Sequence, residues 1–139
     1  MKRFVLDASV SLAWFLDEPV PPLAAKARRL LLLGSRGVVP GLWHLEMANA
    51  LAVAERRGIL ASDDVEKSAA AVEQMLGKAI ENAEMMVPFR QALTVARTFQ
   101  LSAYDGVYLE TARSEGIPLA TLDKSLRGAA LKAGVELLR

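Results

Sequence analysis

Short consecutive apolar runs and helical spacings of apolar residues alternate along the chain, and that alternation predicts its elements. Phe4-Val5-Leu6 is a run led by β-formers, so it reads as a buried strand ending at Asp7. Ser9 to Leu16 reads as a short helix, capped by Ser9 or Ser11 and ended by Asp17-Glu18-Pro19. Pro21-Pro22 opens a second helix to about Leu33, and Gly34 stops it. Val38-Val39-Pro40 is a short strand candidate. Leu42 to Arg57 is a long helix with an almost wholly apolar body, in which Glu46 is the only acid before Glu55. Gly58 ends it. Asp63-Asp64-Val65-Glu66 has capping-box spacing and starts a helix to about Leu76.

The second half continues the pattern. Lys78 to Glu84 shows no clear period, and Met85-Met86-Val87 before Pro88 is a strand candidate. Phe89 to Gln100 is amphipathic, with Leu93, Ala96 and Phe99 or Gln100 on one side. Ser102-Ala103-Tyr104-Asp105 begins a helix that runs to about Ser114, closed by Gly116. Ile117 to Thr121 is a strand, Lys124 to Lys132 a last helix ended by Gly134, and Val135 to Leu138 a terminal strand. Strands separated by helices predict an α/β fold, a parallel sheet covered by helices on both faces. No repeat, low-complexity stretch or linker interrupts residues 1–139, so one domain is expected.

Composition narrows the class. The chain has 139 residues, enough to bury roughly 70% of its unfolded surface without staples. Lys and Arg number 17 against 16 Asp and Glu, a net charge of +1. That balance neither demands nor excludes a nucleic-acid partner, because local charge matters more than the sum. The absence of cysteine excludes disulfides and thiolate metal sites and makes a cytoplasmic location the default expectation. The start Met1-Lys2-Arg3 is basic, but Asp7 follows before any signal-peptide core develops. No uncharged apolar run reaches membrane-spanning length, so no membrane partner is expected.

The chemistry lies in carboxylates. In such a fold ligands bind outside the carboxyl ends of the strands. Asp7 and Asp123 end two of the expected strands. Glu46 shares a helix face with Leu42, Asn49, Ala50 and Val53, and Asp105 lies in the first turn after Ser102. Four acids converging there would raise one another's pKa values, a cost that a divalent cation removes. All-oxygen ligation favours Mg²⁺ or Mn²⁺ over zinc. Such an ion keeps waters, which suits metal-assisted phosphodiester hydrolysis. Each acid also has a plainer reading. Asp7 and Asp123 can cap the helices that follow them, Ser102-x-x-Asp105 is a capping box, and Glu46 can point to solvent from a helix edge. Spacing alone does not decide, because the four are far apart in sequence.

Val5-Leu6-Asp7-Ala8-Ser9, Glu46-Met47-Ala48-Asn49-Ala50-Leu51, Ser102-Ala103-Tyr104-Asp105 with Tyr108-Leu109, and Thr121-Leu122-Asp123 resemble the PIN domain. Their order and spacing are similar to those of the VapC-type toxins of prokaryotic toxin–antitoxin pairs. The resemblance runs from Arg3 to the last strand. It implies a three-layer α/β/α sandwich with a central, mostly parallel sheet. It also implies a Mg²⁺- or Mn²⁺-dependent endoribonuclease, an RNA substrate, an antitoxin protein that blocks it, and a homodimer. Carried over residue by residue, Asp7, Glu46, Asp105 and Asp123 match the family's catalytic, metal-binding acids, with Asp7 and Asp105 the principal ligands. Ser9 and Thr121 match polar positions that support the acids, and Asn49 matches a frequent neighbour of the glutamate.

Other residues have ordinary explanations beside functional ones. Lys26, Arg28, Arg29, Arg36, Arg56 and Arg57 can contact RNA phosphates or simply solvate helix faces. Trp14, Phe15 and Trp43 suit either an antitoxin groove or the core. His44, the only histidine, is expected to be structural. Two rival functions are a non-catalytic PIN-like binding module and an Asp-based phosphotransfer protein. The first predicts a broken acidic pattern, and the four acids are unbroken. The second, in its haloacid-dehalogenase form, needs an Asp where Ser9 stands.

Overall fold

A computed structural model describes residues 2–139. The elements follow in the order β1 (Arg3–Leu6), α1 (Ala8–Leu16), α2 (Pro22–Leu32), β2 (Arg36–Val39), α3 (Gly41–Arg56), α4 (Ser62–Met75), β3 (Ile80–Asn82), α5 (Phe89–Phe99), α6 (Ala103–Glu115), β4 (Leu119–Ala120) and α7 (Lys124–Ala133). The sheet has four strands in the order β3-β2-β1-β4, and every pairing is parallel. This is the expected α/β architecture. Phe4, Val5 and Leu6 are all buried, because a central parallel strand is covered on both faces. Around them lie Trp43, Tyr108, Leu109, Leu119 and Leu126, the largest side chains of the core.

The helices form two groups. α1 packs on α2 and α3, and α4 packs on α3. α5 and α7 pack on α6, which lies against β1 and β4. The chain moves from β1 outward to β2 and β3, then returns past β1 to β4. Right-handed crossovers in these two directions put the two helix groups on opposite faces. The strand order therefore reverses at β1. An α/β sheet of this order binds its ligands outside the carboxyl ends of the strands at such a reversal, here β1 and β4.

Several boundaries differ from those read in the sequence. The third strand is Ile80–Asn82, inside the segment with no clear period, while Met85 and Met86 are exposed and outside any strand. An edge strand of three residues has only Ile80 to bury, so it leaves little pattern. The terminal strand shrinks to one bridge, Leu119 to Leu137, and the strand read from Ile117 shrinks to Leu119–Ala120. The second strand begins earlier, at Arg36. At the start of α4 the capping residue is Ala61, with no side-chain cap, although Asp63 and Asp64 still complement the helix dipole. Ser9 and Ser11 both lie inside α1, with Asp7 at its N-cap position. Trp14 and Trp43 are core residues, and Phe15 packs against that core.

Candidate active site

Asp7 leaves β1 at the point where β4 joins it, its backbone N–H donating to the Ala120 carbonyl at 3.0 Å. Its side chain is 5% exposed. Ser9 Oγ donates to Asp7 Oδ2 at 2.6 Å, and Thr121 Oγ1 donates to the same oxygen at 2.7 Å. The direction of these bonds is enforced from behind. Leu122 N–H donates to Ser9 Oγ and Asp123 N–H to Thr121 Oγ1, each at 3.1 Å, which leaves each hydroxyl proton for the carboxylate. A two-residue turn after β4 thus holds a carboxylate that follows β1.

Glu46 comes from α3, where it is half-buried. Tyr108 is wholly buried in α6, and its hydroxyl reaches out to donate to Glu46 Oε1 at 2.6 Å. Asp105 lies one turn before Tyr108 on the same helix. Ser102 caps α6 by accepting from the Asp105 N–H at 3.1 Å. Asp123 is the N-cap of α7, and its Oδ1 accepts from the Leu126 N–H at 2.8 Å. The helix-capping readings of Asp105 and Asp123 are therefore satisfied, and they do not exhaust these residues.

The electrostatics tie the four acids together. Burial raises the Asp7 carboxyl above its ordinary range; the Ser9 and Thr121 hydrogen bonds oppose it, and the charge of Asp123 adds to it. Burial also raises Glu46, against the Tyr108 hydrogen bond, and Asp7 and Asp105 push it further. Asp105 is raised by burial, then by Asp123 and Asp7, while Ser102 lowers it. The Tyr108 phenol is pushed far up, first by burial and then by its bond to Glu46. Among the described residues no Lys or Arg forms an ion pair with any of the four acids. This end of the sheet holds negative charge that the fold does not neutralise.

The four side chains feel one another without touching. Among the described residues no three acids or histidines stand close enough to cage an ion. Their charges act on one another at longer range, second to burial, in Asp7, Glu46 and Asp105. The donors are oxygens only, the type that hard cations take, and a cation held here would take one or two carboxylates directly and keep most of its waters. Two clefts of ≈ 500 and ≈ 470 Å³ border the Glu84–Val87 segment and take no wall from the four acids.

Of the remaining sequence candidates, Asn49 is exposed on α3, one turn beyond Glu46. His44 bonds Asn82 at 2.6 Å and stacks edge-on against Trp43, away from the acids. Tyr108 was legible only as part of a motif, since an aromatic residue at helical spacing reads as core. Arg127, whose Nη1 donates to the Thr121 carbonyl at 2.8 Å, left no signal beyond its place on the last helix.

The comparisons with known proteins agree with this architecture. Residues 4–132 match the family model described as PIN domain. No match emerges among curated proteins. Among solved structures, PAE2754 from Pyrobaculum aerophilum is 25% identical, with a TM-score of 0.64 over 92% of this chain and 84% of that one. FitAcB from Neisseria gonorrhoeae is 19% identical, with a TM-score of 0.66 over 98% and 96% of the two chains. VapBC2 from Rickettsia felis, bound to a DNA fragment from its promoter, is 10% identical, with a TM-score of 0.64 over 97% and 96%. The last two show a shared fold alone. With the family model spanning nearly the whole chain, on a parallel sheet whose C-terminal end gathers acids, this chain belongs to the PIN domain family.

Proposed function

We propose that residues 1–139 act as one domain, a Mg²⁺- or Mn²⁺-dependent endoribonuclease that serves as the toxin of a type II toxin–antitoxin pair. The observation that carries the reading is that Asp7, Glu46, Asp105 and Asp123 lie at the switch point of the sheet with no Lys or Arg paired to them among the described residues. Such charge is costly unless a cation is part of the working state. The fold shared with FitAcB and VapBC2 supports a cognate antitoxin as the protein partner, and the family resemblance supports a homodimer. Among the described residues no helix is long and apolar enough to cross a membrane.

Asp7 and Asp105 would hold the cation, with Glu46 and Asp123 completing the site directly or through water. When bound, the ion polarises the scissile phosphodiester and lowers the pKa of a water. Ser9 and Thr121 keep Asp7 aimed and oppose the rise in its pKa that burial causes. Tyr108 does the same for Glu46. Glu46 or Asp123 would orient the attacking water and accept its proton. Asn49, exposed one turn from Glu46, would support that end of the site from the solvent side.

The test is RNA cleavage with Mg²⁺ or Mn²⁺, with EDTA, and with Asp7→Asn and Asp105→Asn. Cleavage that needs the ion and disappears in both variants is expected. Metal-dependent cleavage that survives both substitutions overturns the site assignment. Calorimetry that finds no Mg²⁺ or Mn²⁺ binding, together with no cleavage, turns the reading into a non-catalytic module.

A further inference from the structure

A surface that gathers negative charge to hold a cation also repels the phosphates of a polynucleotide. A strand held there needs cationic side chains nearby. A cleft of ≈ 460 Å³ opens beside the acids, with Leu122 and four cations, Lys26, Lys124, Arg127 and Arg139, among the residues that line it. Leu122 lies between Thr121, which donates to Asp7, and Asp123, so the cleft begins where the acid site ends. None of the described residues lining it is acidic.

Of the cations of this cleft, Arg127 is held by a neutral group. Arg127 Nη1 donates to the Thr121 carbonyl at 2.8 Å, which fixes the guanidinium while leaving its charge unpaired. Lys26 Nζ donates to the main-chain oxygen of Arg139, the last residue of the sequence. Lys124 is exposed on the first turn of α7. Among the described residues neither Lys124 nor Arg127 forms an ion pair with an acidic side chain, whereas Arg3 and Arg113 do. In a chain with a net charge of only +1, this is a local excess with a definite direction. The apolar floor of Pro22, Leu23 and Leu122 gives ribose and base edges a dry surface between the charges. Of the basic residues singled out in the sequence, only Lys26 comes to this wall; Arg56 and Arg57 lie exposed at the end of α3.

We propose that this cleft is the track for the RNA backbone next to the acid site, with Lys26, Lys124 and Arg127 contacting successive phosphates. The proposal rests on the ribonuclease reading and names where its substrate lies. The test measures binding of a labelled single-stranded RNA to the Asp105→Asn protein in EDTA, by fluorescence anisotropy over a series of salt concentrations. Lys26→Gln with Lys124→Gln, both surface changes, should weaken binding about tenfold and flatten the slope of log Kd against log salt by about 1.4, near 0.7 for each phosphate that no longer meets a cation. Arg56→Gln with Arg57→Gln should change neither. If the otherwise unaltered protein cuts RNA with metal, and the Lys26/Lys124 variant keeps both Kd and slope, this inference fails and the ribonuclease reading stands. A protein that neither binds nor cuts RNA overturns both. Unchanged RNA affinity with lost binding of the cognate antitoxin assigns the cleft to an acidic protein segment and overturns the RNA track.

Discussion

At the N-terminal end of β1, Arg3 donates from Nε to Glu81 and from Nη2 to Glu115, each at 2.8 Å. The two carboxylates come from the edge strand β3 and from the end of α6, and one fork of donors neutralises both. At the other end of the same strand, four residues on, Asp7 meets the fields of Glu46, Asp105 and Asp123 with hydroxyls for company and no cation. The same strand thus carries acids beside both of its ends. Where charge only joins elements, this chain supplies a counter-charge. Where charge stays unmatched, it raises the carboxyl pKa values, and that is where the proposed site lies.

The largest expected effect breaks the acid end. Asp7→Asn keeps the shape and removes the charge. RNA cleavage should fall on the order of 10²–10³-fold or below detection, as for other losses of a central electrostatic group. In EDTA the melting temperature should stay or rise, because a buried charge and its repulsion by Asp123 are gone. Retained cleavage would falsify the assignment of Asp7. A melting temperature lowered by many degrees would instead place Asp7 among the structural residues, like Arg3.

Next in size is Tyr108→Phe, which leaves the ring in the core and removes only the bond to Glu46. A group that orients a ligand in this way is worth about 10–100-fold in metal affinity or activity. Calorimetric Mn²⁺ affinity should fall by that order, with a melting temperature lowered by only a few degrees. Equal Mn²⁺ affinity in the two proteins would make the hydroxyl a bystander.

What the sequence shows and hides follows from these same contacts. β1 was legible because a central parallel strand must be apolar wherever both of its faces are covered, and Phe4, Val5 and Leu6 are. β3 was not, since an edge strand beside solvent has only Ile80 to bury, and apolar Met85 and Met86 nearby are exposed. Asp7 was legible as an awkward charge at a strand end. Its two hydroxyl partners were expected only through family resemblance, because β4 lies beside β1 by strand order and not by proximity in the chain. Tyr108 is legible as part of a motif, and its ring is in fact core. Only the last atom of the side chain has another task, and residue type does not disclose that.

A smaller effect separates the two ends by pH. Asp7, Glu46 and Asp105 all have carboxyls raised above the ordinary range near pH 4. The folded state therefore binds these protons more tightly than the unfolded state. Their contribution to stability is fully present below the unfolded pKa and is lost as pH rises through the folded one. In EDTA, the stability of the unaltered protein relative to Asp7→Asn should decline from about pH 4 towards neutrality and then level off. Saturating Mg²⁺ should restore stability at neutral pH, since it binds only the folded site. A difference that grows with pH in EDTA would mean that Asp7 is stabilised as an anion by the fold itself.

The smallest effect belongs to Arg3→Gln. The Arg3 side chain is 39% exposed, so its two ion pairs are screened by water and salt. Partly exposed pairs of this kind are worth about 0–1 kcal/mol, to which a bridge between β3 and α6 adds little beyond order at the sheet edge. The melting temperature should drop by a few degrees at most, and the drop should shrink as salt is raised. Cleavage and Mn²⁺ affinity should not change, because the guanidinium stands at the opposite end of β1 from the acids. A large loss of cleavage in this variant, at full stability, would mean that the two ends of the strand communicate. The contrast between a neutralised end and an uncompensated end would then describe one coupled network instead of two separate sites.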